Sequence, residues 1–370
     1  MNISVQSADT AAPTDEPKKR RSSARESESE LRQDIITGDW VVIATGRAKR
    51  PDDFVGHERA ASDGADPFAD LSDQKDPVLL YRREDGDWSL AVIPNLYPAF
   101  VSGRVPRDLS EGPYFAMNGV GYHEVIITRD PDRSIALLPL WQVAELIDAY
   151  QERYLALMKK KSVKYIQVFH NHGKEAGASV AHPHSQLMAI PVISPYIGLQ
   201  VSGAERYYKN HRVHVFQAIL DHESDIRNRF VYENDHFFVF CPFASRVAFE
   251  TWIVPKKSEN SYFERITDEE KISLADALQN VLFALWRGLD DPPYNFFLNT
   301  SPCDGTDYPY YRWHVEILPK TSVWAGFELS TGIEVSTIQP EKAAEFLREQ
   351  IEDYREAKPP IGGLASSESV

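Results

Sequence analysis

The chain has 370 residues, 42% of them hydrophobic, enough for a substantial core and two or three domain-sized units. Its 55 acidic residues against 40 basic ones leave a net charge of −15, which argues against a duplex nucleic-acid partner but leaves room for local basic sites that hold a small phosphate ligand. Only two cysteines occur, Cys241 and Cys303, so a disulfide framework and a cysteine-rich zinc site are excluded, a cytoplasmic location fits, and no run of eighteen apolar residues is present to span a membrane.

Residues 1–30 are polar, charged and poor in large apolar side chains, and read as a disordered N-terminal arm in which "KKRR" (18–21) is solvated. Ordered structure is expected from Asp39, with "DWVVIAT" as the first strand, followed by "WSLAVIP" and "YHEVIIT". Between Leu140 and Met158 a helix is expected, because Val143, Leu146, Ile147, Tyr150, Tyr154, Leu157 and Met158 fall on one stripe of 3.6-residue period. The strand "KYIQVFH" and the segment "AHPHSQLMAIP" complete the first half. The second half repeats the order: strands "FFVFCPF" and "FETWIVP", a helix opened by "TDEE" with Thr267 and Glu270 at capping-box spacing, then "YNFFLNT" and "RWHVEILP". The helix carries Leu274, Leu278, Val281, Leu282 and Leu285. Aligned on their histidines, the two last strands set His184 opposite His314 and Gln186 opposite Glu316, which reads as a duplication. The expected fold class is α+β: two fused halves, 31–195 and 196–356, each an antiparallel sheet with a helix on one face, followed by a flexible tail at 357–370.

The chemistry gathers at "AGASVAHPHSQ" (176–186). On an extended strand His182 and His184 point to one face. Such a pair serves a metal site, a structural role with the rings bonded to backbone carbonyls, or histidine chemistry on a phosphate. A metal pair needs two further ligands, and cysteines are scarce. The neighbours suit a phosphate: Asn171, Ser179 and Gln186 supply donors, while Gly173 and Gly177 let backbone amides approach an anion. Neutral imidazole is itself a competent nucleophile near pH 7.

These residues carry a family resemblance. "FHNHGKEAGASVAHPHSQ" (169–186) resembles the active-site segment of galactose-1-phosphate uridylyltransferases, in the histidine triad superfamily. "GRAKRP" (46–51) resembles their substrate-binding arginine motif, "IPNLYPA" (93–99) their nucleotide-contacting turn, "RWHVEILP" their second-half histidine strand, and "AGFELSTGIEVSTIQPEKAAEFLR" (325–348) their sugar-binding loop and following helix. The likeness runs from about Glu30 to Glu356. It implies that His184 is the nucleophile, with His182, Gln186 and Ser179 as its catalytic companions and Asn171 and Gly177 at the phosphate. It further implies that Arg47 and Arg50 clamp a phosphate, that Asn95 meets the nucleoside, and that His314, Phe327, Glu328 and Glu334 belong to the substrate-binding set, with Phe327 and Glu328 reaching the sugar across a homodimer interface. Without the resemblance, Arg47 and Arg50 read as solvated surface, Asn95 as a turn residue, and Phe327 and Glu328 as a loop over the core.

The chain also departs from that family. Asp66 and Ala69 stand where many members carry two zinc cysteines, Pro131 where they carry a zinc histidine, and Thr300 and Glu316 where a second metal site has histidines. No metal and no cofactor is therefore expected, with His182 held by a hydrogen bond instead; His57, His123, His170 and His172 are the candidates for zinc if the loops align otherwise. Glu334 replaces the glutamine of the sugar loop, and "GFELSTG" is at least as similar to the branch containing ADP-glucose phosphorylases. The expected activity is ping-pong exchange of a UMP group between UDP-glucose and a hexose 1-phosphate through a nucleotidyl-histidine. The alternative is an ADP-sugar or dinucleotide phosphorylase or hydrolase using the same histidine, and the third reading is a non-catalytic nucleotide- or metal-binding protein.

Overall fold

Two short strands, β1 (Glu30–Gln33) and β2 (Trp40–Ile43), come first in a computed structural model that describes residues 29–44, 66–71, 74–103, 107–257 and 261–357. Arg47, Arg50 and His57 lie outside the described residues. The first half continues with β3 (Leu79–Arg82), β4 (Trp88–Pro94), β5 (Tyr122–Thr128), helix α1 (Leu140–Leu157), β6 (Tyr165–His172) and β7 (His184–Ile190). The second half supplies α2 (Pro195–His211), α3 (Val215–Ile226), β8 (Phe230–Glu233), β9 (Phe237–Phe240), β10 (Thr251–Pro255), α4 (Asp268–Gly288), β11 (Tyr294–Asn299) and β12 (His314–Pro319). The last elements are α5 (Gly326–Thr331), β13 (Glu334–Ser336) and α6 (Pro340–Ala357).

Ten strands form one sheet in the order β3-β4-β5-β7-β6-β11-β12-β10-β9-β8, every neighbouring pair antiparallel. From either edge the pattern is the same: three strands in chain order, then the last two exchanged. The repeated element order of the sequence thus becomes two α+β halves of one continuous sheet, joined where β6 pairs with β11 and Phe169 stands opposite Phe297.

Helices α1, α4 and α6 lie on one face of this sheet. The α1 stripe from Val143 to Leu157 is buried as its period requires, and so are Leu274, Leu278, Val281, Leu282 and Leu285 of α4. Both belong to one hydrophobic cluster that also takes in Leu187, Ala189, Phe296, Val315 and Ile317 from the strands. Each of the Val, Leu, Ile and Phe side chains among them contributes roughly 1.5–3 kcal/mol by leaving water.

The opposite face is treated differently in the two halves. Over the second half it is covered by α2 and α3, which a strand–strand–helix–strand reading of the sequence does not contain. The start of α2 has a legible signal: Ser194 caps it, accepting from Ile197 N at 3.2 Å, and Pro195 takes the first helical position. Phe216 and Leu220 of α3 then pack on Phe238, Phe240 and Trp252. Over the first half, among the described residues, the same face carries a small cluster of Phe68, Ala91, Ile93, Val125 and Ile127.

Strands β1 and β2 do not join the large sheet. They pair with each other, and β13 pairs in parallel with β2. Arg32 ties this small sheet to the second half, donating to Phe243 O at 3.1 Å and to Glu341 of α6 at 2.9 Å. Residues 30–44 therefore pack against the second half although they precede the first in the chain.

The capping box expected at α4 is present: Glu270 N donates to Thr267 Oγ1 at 3.3 Å and Thr267 N to Glu270 Oε2 at 2.9 Å. Thr267→Ala should cost about 1 kcal/mol of stability, read as a lower midpoint in urea at unchanged slope. A midpoint equal to that of the wild type would show that the cap contributes nothing.

Candidate active site

The histidine segment folds as a strand, a tight loop and a strand. After β6 ends at His172, the chain turns at Gly173 (φ +81°) and again at Gly177 (φ +88°), both in the left-handed region that a side chain disfavours. At Gly173 a Cβ would also stand 2.8 Å from Pro293 Cβ, on the segment leading into β11. The two glycines are thus required first by the turn.

His184 opens β7 with its Nδ1–H donating to the main-chain carbonyl of His182 at 2.9 Å. A carbonyl only accepts, so the neutral ring keeps its lone pair on Nε2. Burial holds the His184 imidazole below the ordinary histidine range; the hydrogen bond to His182 opposes this and the nearby His182 ring adds to it. Phe68 packs edge-on against both rings, 5.6 Å from His182 and 5.5 Å from His184 between centroids.

His182 lies in the bend before β7, not on the extended strand that the sequence suggests, and its situation differs. Its Nδ1 lies 2.8 Å from Asp66 Oδ2 and its Nε2 2.6 Å from the carbonyl of Thr128, so both nitrogens are engaged. Its geometry is that of a brace for the segment, and not of a group facing a reactant. Asp66, aligned with the family's first zinc cysteine, is its hydrogen-bonding partner.

Gln186 follows on the same face as His184, and its Oε1 accepts from His123 Nε2 at 2.8 Å. His123 sits on β5, where Val125 pairs with Gln186 and His123 with Met188. Its other nitrogen accepts from Ala99 N at 3.2 Å, and Asn95 Nδ2 lies 3.2 Å from its Nε2. Asn95 in turn closes the expected turn, its Oδ1 accepting from Tyr97 N at 2.8 Å. Sequence reasoning names His123 only as a fallback zinc ligand; its link to Gln186 follows from the β5–β7 register and has no local signal.

Asn171, at the end of β6, accepts at Oδ1 from Asn295 Nδ2 (2.8 Å), which also donates to Ala176 O at 2.8 Å. That bond turns the Asn171 amide nitrogen toward Gly177. Asn295 was not legible in the sequence, since it arrives from β11. Ser179 is exposed on the same loop. Two cavities flank the segment. One, of about 510 Å³, is lined by Asn171, Gly173, Ala178, His182 and Pro183; the other, of about 380 Å³, by Lys75, Asn95, Phe100, His123 and Lys160.

The remaining expected residues are not gathered here within one chain. His314 lies on β12, three strands or about 14 Å across the sheet from β7. The register displaces it along the strands as well, since Leu318 and not His314 pairs with Asn295 beside Asn171. It repeats the His184 bond, with Nδ1 donating to Arg312 O at 3.1 Å, but it is 0% exposed beneath Trp252 and Phe216. Its Nε2 meets Glu316 at 3.1 Å, and Glu316 also receives Asn299, Gln200, Tyr196 and Arg246. Burial alone would push the Glu316 carboxyl up; the Arg246 guanidinium and His314 hold it below the usual carboxylate range. Glu334 stands on β13, half-buried, its carboxyl pushed up to about 7 by burial against the opposing charge of Arg246. Phe327 and Glu328 lie on the exposed helix α5, where Glu328 caps the N–H of Ala325 at 3.0 Å.

Neither metal position that the family resemblance implies fits a metal. At the first, His182 has no nitrogen to spare, and Ala69 and Pro131 bring no donor side chain. At the second, the Thr300 hydroxyl accepts from Phe263 N at 3.0 Å, and Glu316 is occupied by its protein donors and the Arg246 cation.

Comparison with known proteins agrees with this architecture. The family model described as galactose-1-phosphate uridyl transferase, N-terminal domain, matches residues 19–193, and a domain of unknown function, DUF4921, matches 142–364. The chain is 34% identical to the ADP-glucose phosphorylase of Arabidopsis thaliana over 86% of its own length and 92% of the relative's. It is 29% identical to the galactose-1-phosphate uridylyltransferase of Thermotoga maritima over 86% of its own length and 98% of that protein's. A crystal structure of an Arabidopsis thaliana ADP-glucose phosphorylase with bound ADP-glucose superposes with a TM-score of 0.74 at 30% identity, covering 87% of this chain and 99% of that one. By sequence and by fold, the chain belongs to the family of galactose-1-phosphate uridylyltransferases and ADP-glucose phosphorylases, and it is a nucleotidyltransferase of that family.

Proposed function

We propose that this protein cleaves a nucleotide sugar through a covalent nucleotidyl-His184, with ADP-glucose as donor and inorganic phosphate as acceptor. The observation that carries the reading is the Nε2 lone pair of His184, fixed by the Nδ1 bond to His182 O and standing beside Gln186 on one face. Nε2 attacks the α-phosphorus, the Nε2–P bond forms, and the bond to the sugar phosphate oxygen breaks, releasing glucose 1-phosphate. A phosphate oxygen then attacks the same phosphorus, the Nε2–P bond breaks, and ADP leaves. Gln186, Asn171 and Ser179 hold the phosphate oxygens as charge builds. Arg47 and Arg50 clamp the outer phosphate, Asn95 meets the nucleoside, and His182 acts as the brace of the nucleophile. The adenine choice is supported by the 34% identity to an ADP-glucose phosphorylase and by Glu334, which departs from the transferase glutamine.

The second reading, transfer of UMP from UDP-glucose to galactose 1-phosphate, is favoured by the likeness to uridylyltransferases over the same span. One experiment separates them: α-phosphate-labelled ADP-glucose and UDP-glucose are offered in turn, and acid-labile label on the protein is counted. Label from ADP-glucose that phosphate discharges as ADP supports the first reading; label from UDP-glucose alone overturns it. His184→Ala should take no label and turn over at background, while Gln186→Ala should lose roughly 10²–10³ in kcat. Near-native turnover by His184→Ala would refute the covalent route.

The pH profile follows from burial. Protonation removes the Nε2 lone pair, so activity is lost as pH falls through the folded-state pKa of His184, which lies below the ordinary value near 6.5. The acidic limb of kcat for the labelling step should therefore inflect below pH 6.5; an inflection above it would contradict this assignment. We propose further that catalysis uses no metal, so exhaustive chelation should leave the rate unchanged, and stoichiometric zinc with chelator-sensitive activity would refute this. A homodimer completes the proposal: Val323, Trp324, Phe327 and Leu329 are exposed on one short segment, an apolar patch suited to a second copy's site. Light scattering should give a dimer at assay concentration.

A further inference from the structure

His123 is buried, lies 63 positions from Gln186 in the chain, and has no part in the reaction as proposed. Its ring is nevertheless the point where the 95–99 turn meets the catalytic strand. The decisive contact is Ala99 N to His123 Nδ1 at 3.2 Å. A backbone N–H is a donor in every protonation state, so Nδ1 carries a lone pair and the ring's single proton sits on Nε2. That proton goes to Gln186 Oε1, 2.8 Å away, and not to Asn95 Nδ2, 3.2 Å from the same nitrogen, because an amide nitrogen does not accept; the bond fixes which end of the Gln186 carboxamide faces the protein. With Oε1 held inward, the two amide hydrogens of Gln186 are directed to the face that also carries His184. Rotated by half a turn, the amide would set its own N–H against the Nε2–H of His123 and present an oxygen to an incoming phosphate, repelling it.

We infer that His123 is a positioning residue: its Nε2–H holds the Gln186 carboxamide oxygen, so that the Gln186 amide donates to the phosphate attacked by His184. The tautomer that makes this possible is set by Ala99, on the turn that also holds Asn95, so the nucleoside side and the phosphate donor are two ends of one hydrogen-bonded chain. This rests on the reading of His184 and Gln186 given above.

The test uses four variants of the full chain: His123→Phe, which keeps a ring but no donor, His123→Gln, which keeps a donor, Gln186→Ala, and the His123→Phe/Gln186→Ala pair. His123→Phe should lower kcat about tenfold with a smaller change in KM, since a donor is misdirected and not removed. His123→Gln should recover most of that loss. The double variant should be no slower than Gln186→Ala alone, because a residue acting only through Gln186 has nothing left to position. Losses that multiply in the double variant, or a wild-type rate in His123→Phe, would overturn the inference. A second readout needs no turnover: nitrogen-15 NMR of the wild type should show His123 as the Nε2–H tautomer, and the side-chain amide signal of Gln186 should shift in His123→Gln and in His123→Phe. An Nδ1–H tautomer, or an unmoved Gln186 signal, would also overturn it. Absence of any covalent label on the wild type would refute the proposed function, while the NMR readout would still decide the positioning.

Discussion

One hydrogen bond governs the start of β7: the Nδ1–H of His184 to the carbonyl of the residue two places back. A neutral imidazole has one proton, and a carbonyl can only accept it, so the bond converts a ring with two equivalent choices into one with a fixed lone pair at Nε2. The carbonyl must stay in place for this to hold. Pro183, between the two histidines, locks its own φ, and the His182 ring is held at both nitrogens by Asp66 and Thr128. Phe68 closes the edge of both rings and keeps the pair away from bulk water. Burial then works in the same direction, since it penalises the imidazolium in which the lone pair is lost.

The symmetry of the sheet shows that this local geometry alone does not make a reactive site. β12 occupies the place of β7 in the second half, and His314 bonds to the carbonyl of Arg312 as His184 bonds to that of His182. There the resemblance ends. Where Gln186 presents an amide, Glu316 presents a carboxylate, and a buried carboxylate must be paired. Arg246 pairs with it, and Asn299, Gln200 and Tyr196 fill the remaining acceptor positions. Helices α2 and α3 then seal the face. The residue two after the histidine and the helices that cover the sheet together separate the two positions: an amide on β7, and a fully paired carboxylate beneath α2 and α3 on β12. Removing either partner of such a buried ion pair typically costs about 3–5 kcal/mol, so the pair serves the fold.

The same pairing of buried charge and polar groups ties distant segments together elsewhere in the chain. A metal ion organises distant segments by drawing ligands together; pairwise contacts between side chains also join distant segments of this chain. The 66–71 segment is tied to β7 by the Asp66–His182 bond, and the small sheet is tied to the second half by Arg32 and Arg229 meeting on Glu341.

The sequence by itself determined whatever depends on near neighbours in the chain. Period 3.6 placed α1 and its buried face, while Leu274, Leu278, Leu282 and Leu285 with the Thr267–Glu270 spacing placed α4 and its cap. Strand alternation put His182 and His184 on one face, and of the two the structure keeps only His184 on the strand. A family likeness carried by short motifs named the nucleophile candidate, and Asp66, Ala69 and Pro131 are read directly at positions that the likeness assigns to metal ligands. Helices α2 and α3 were missed, although Ser194-Pro195 announces the first of them, because a repeated strand pattern left no room for an inserted pair. Only the tertiary structure decided the rest. His123 reaches Gln186, Asn295 reaches Asn171 and Asp66 reaches His182 across 63, 124 and 116 residues of chain. Such contacts depend on strand register and on which sheet face a helix covers, and both are set by burial summed over the whole core, a quantity that no local window of sequence contains.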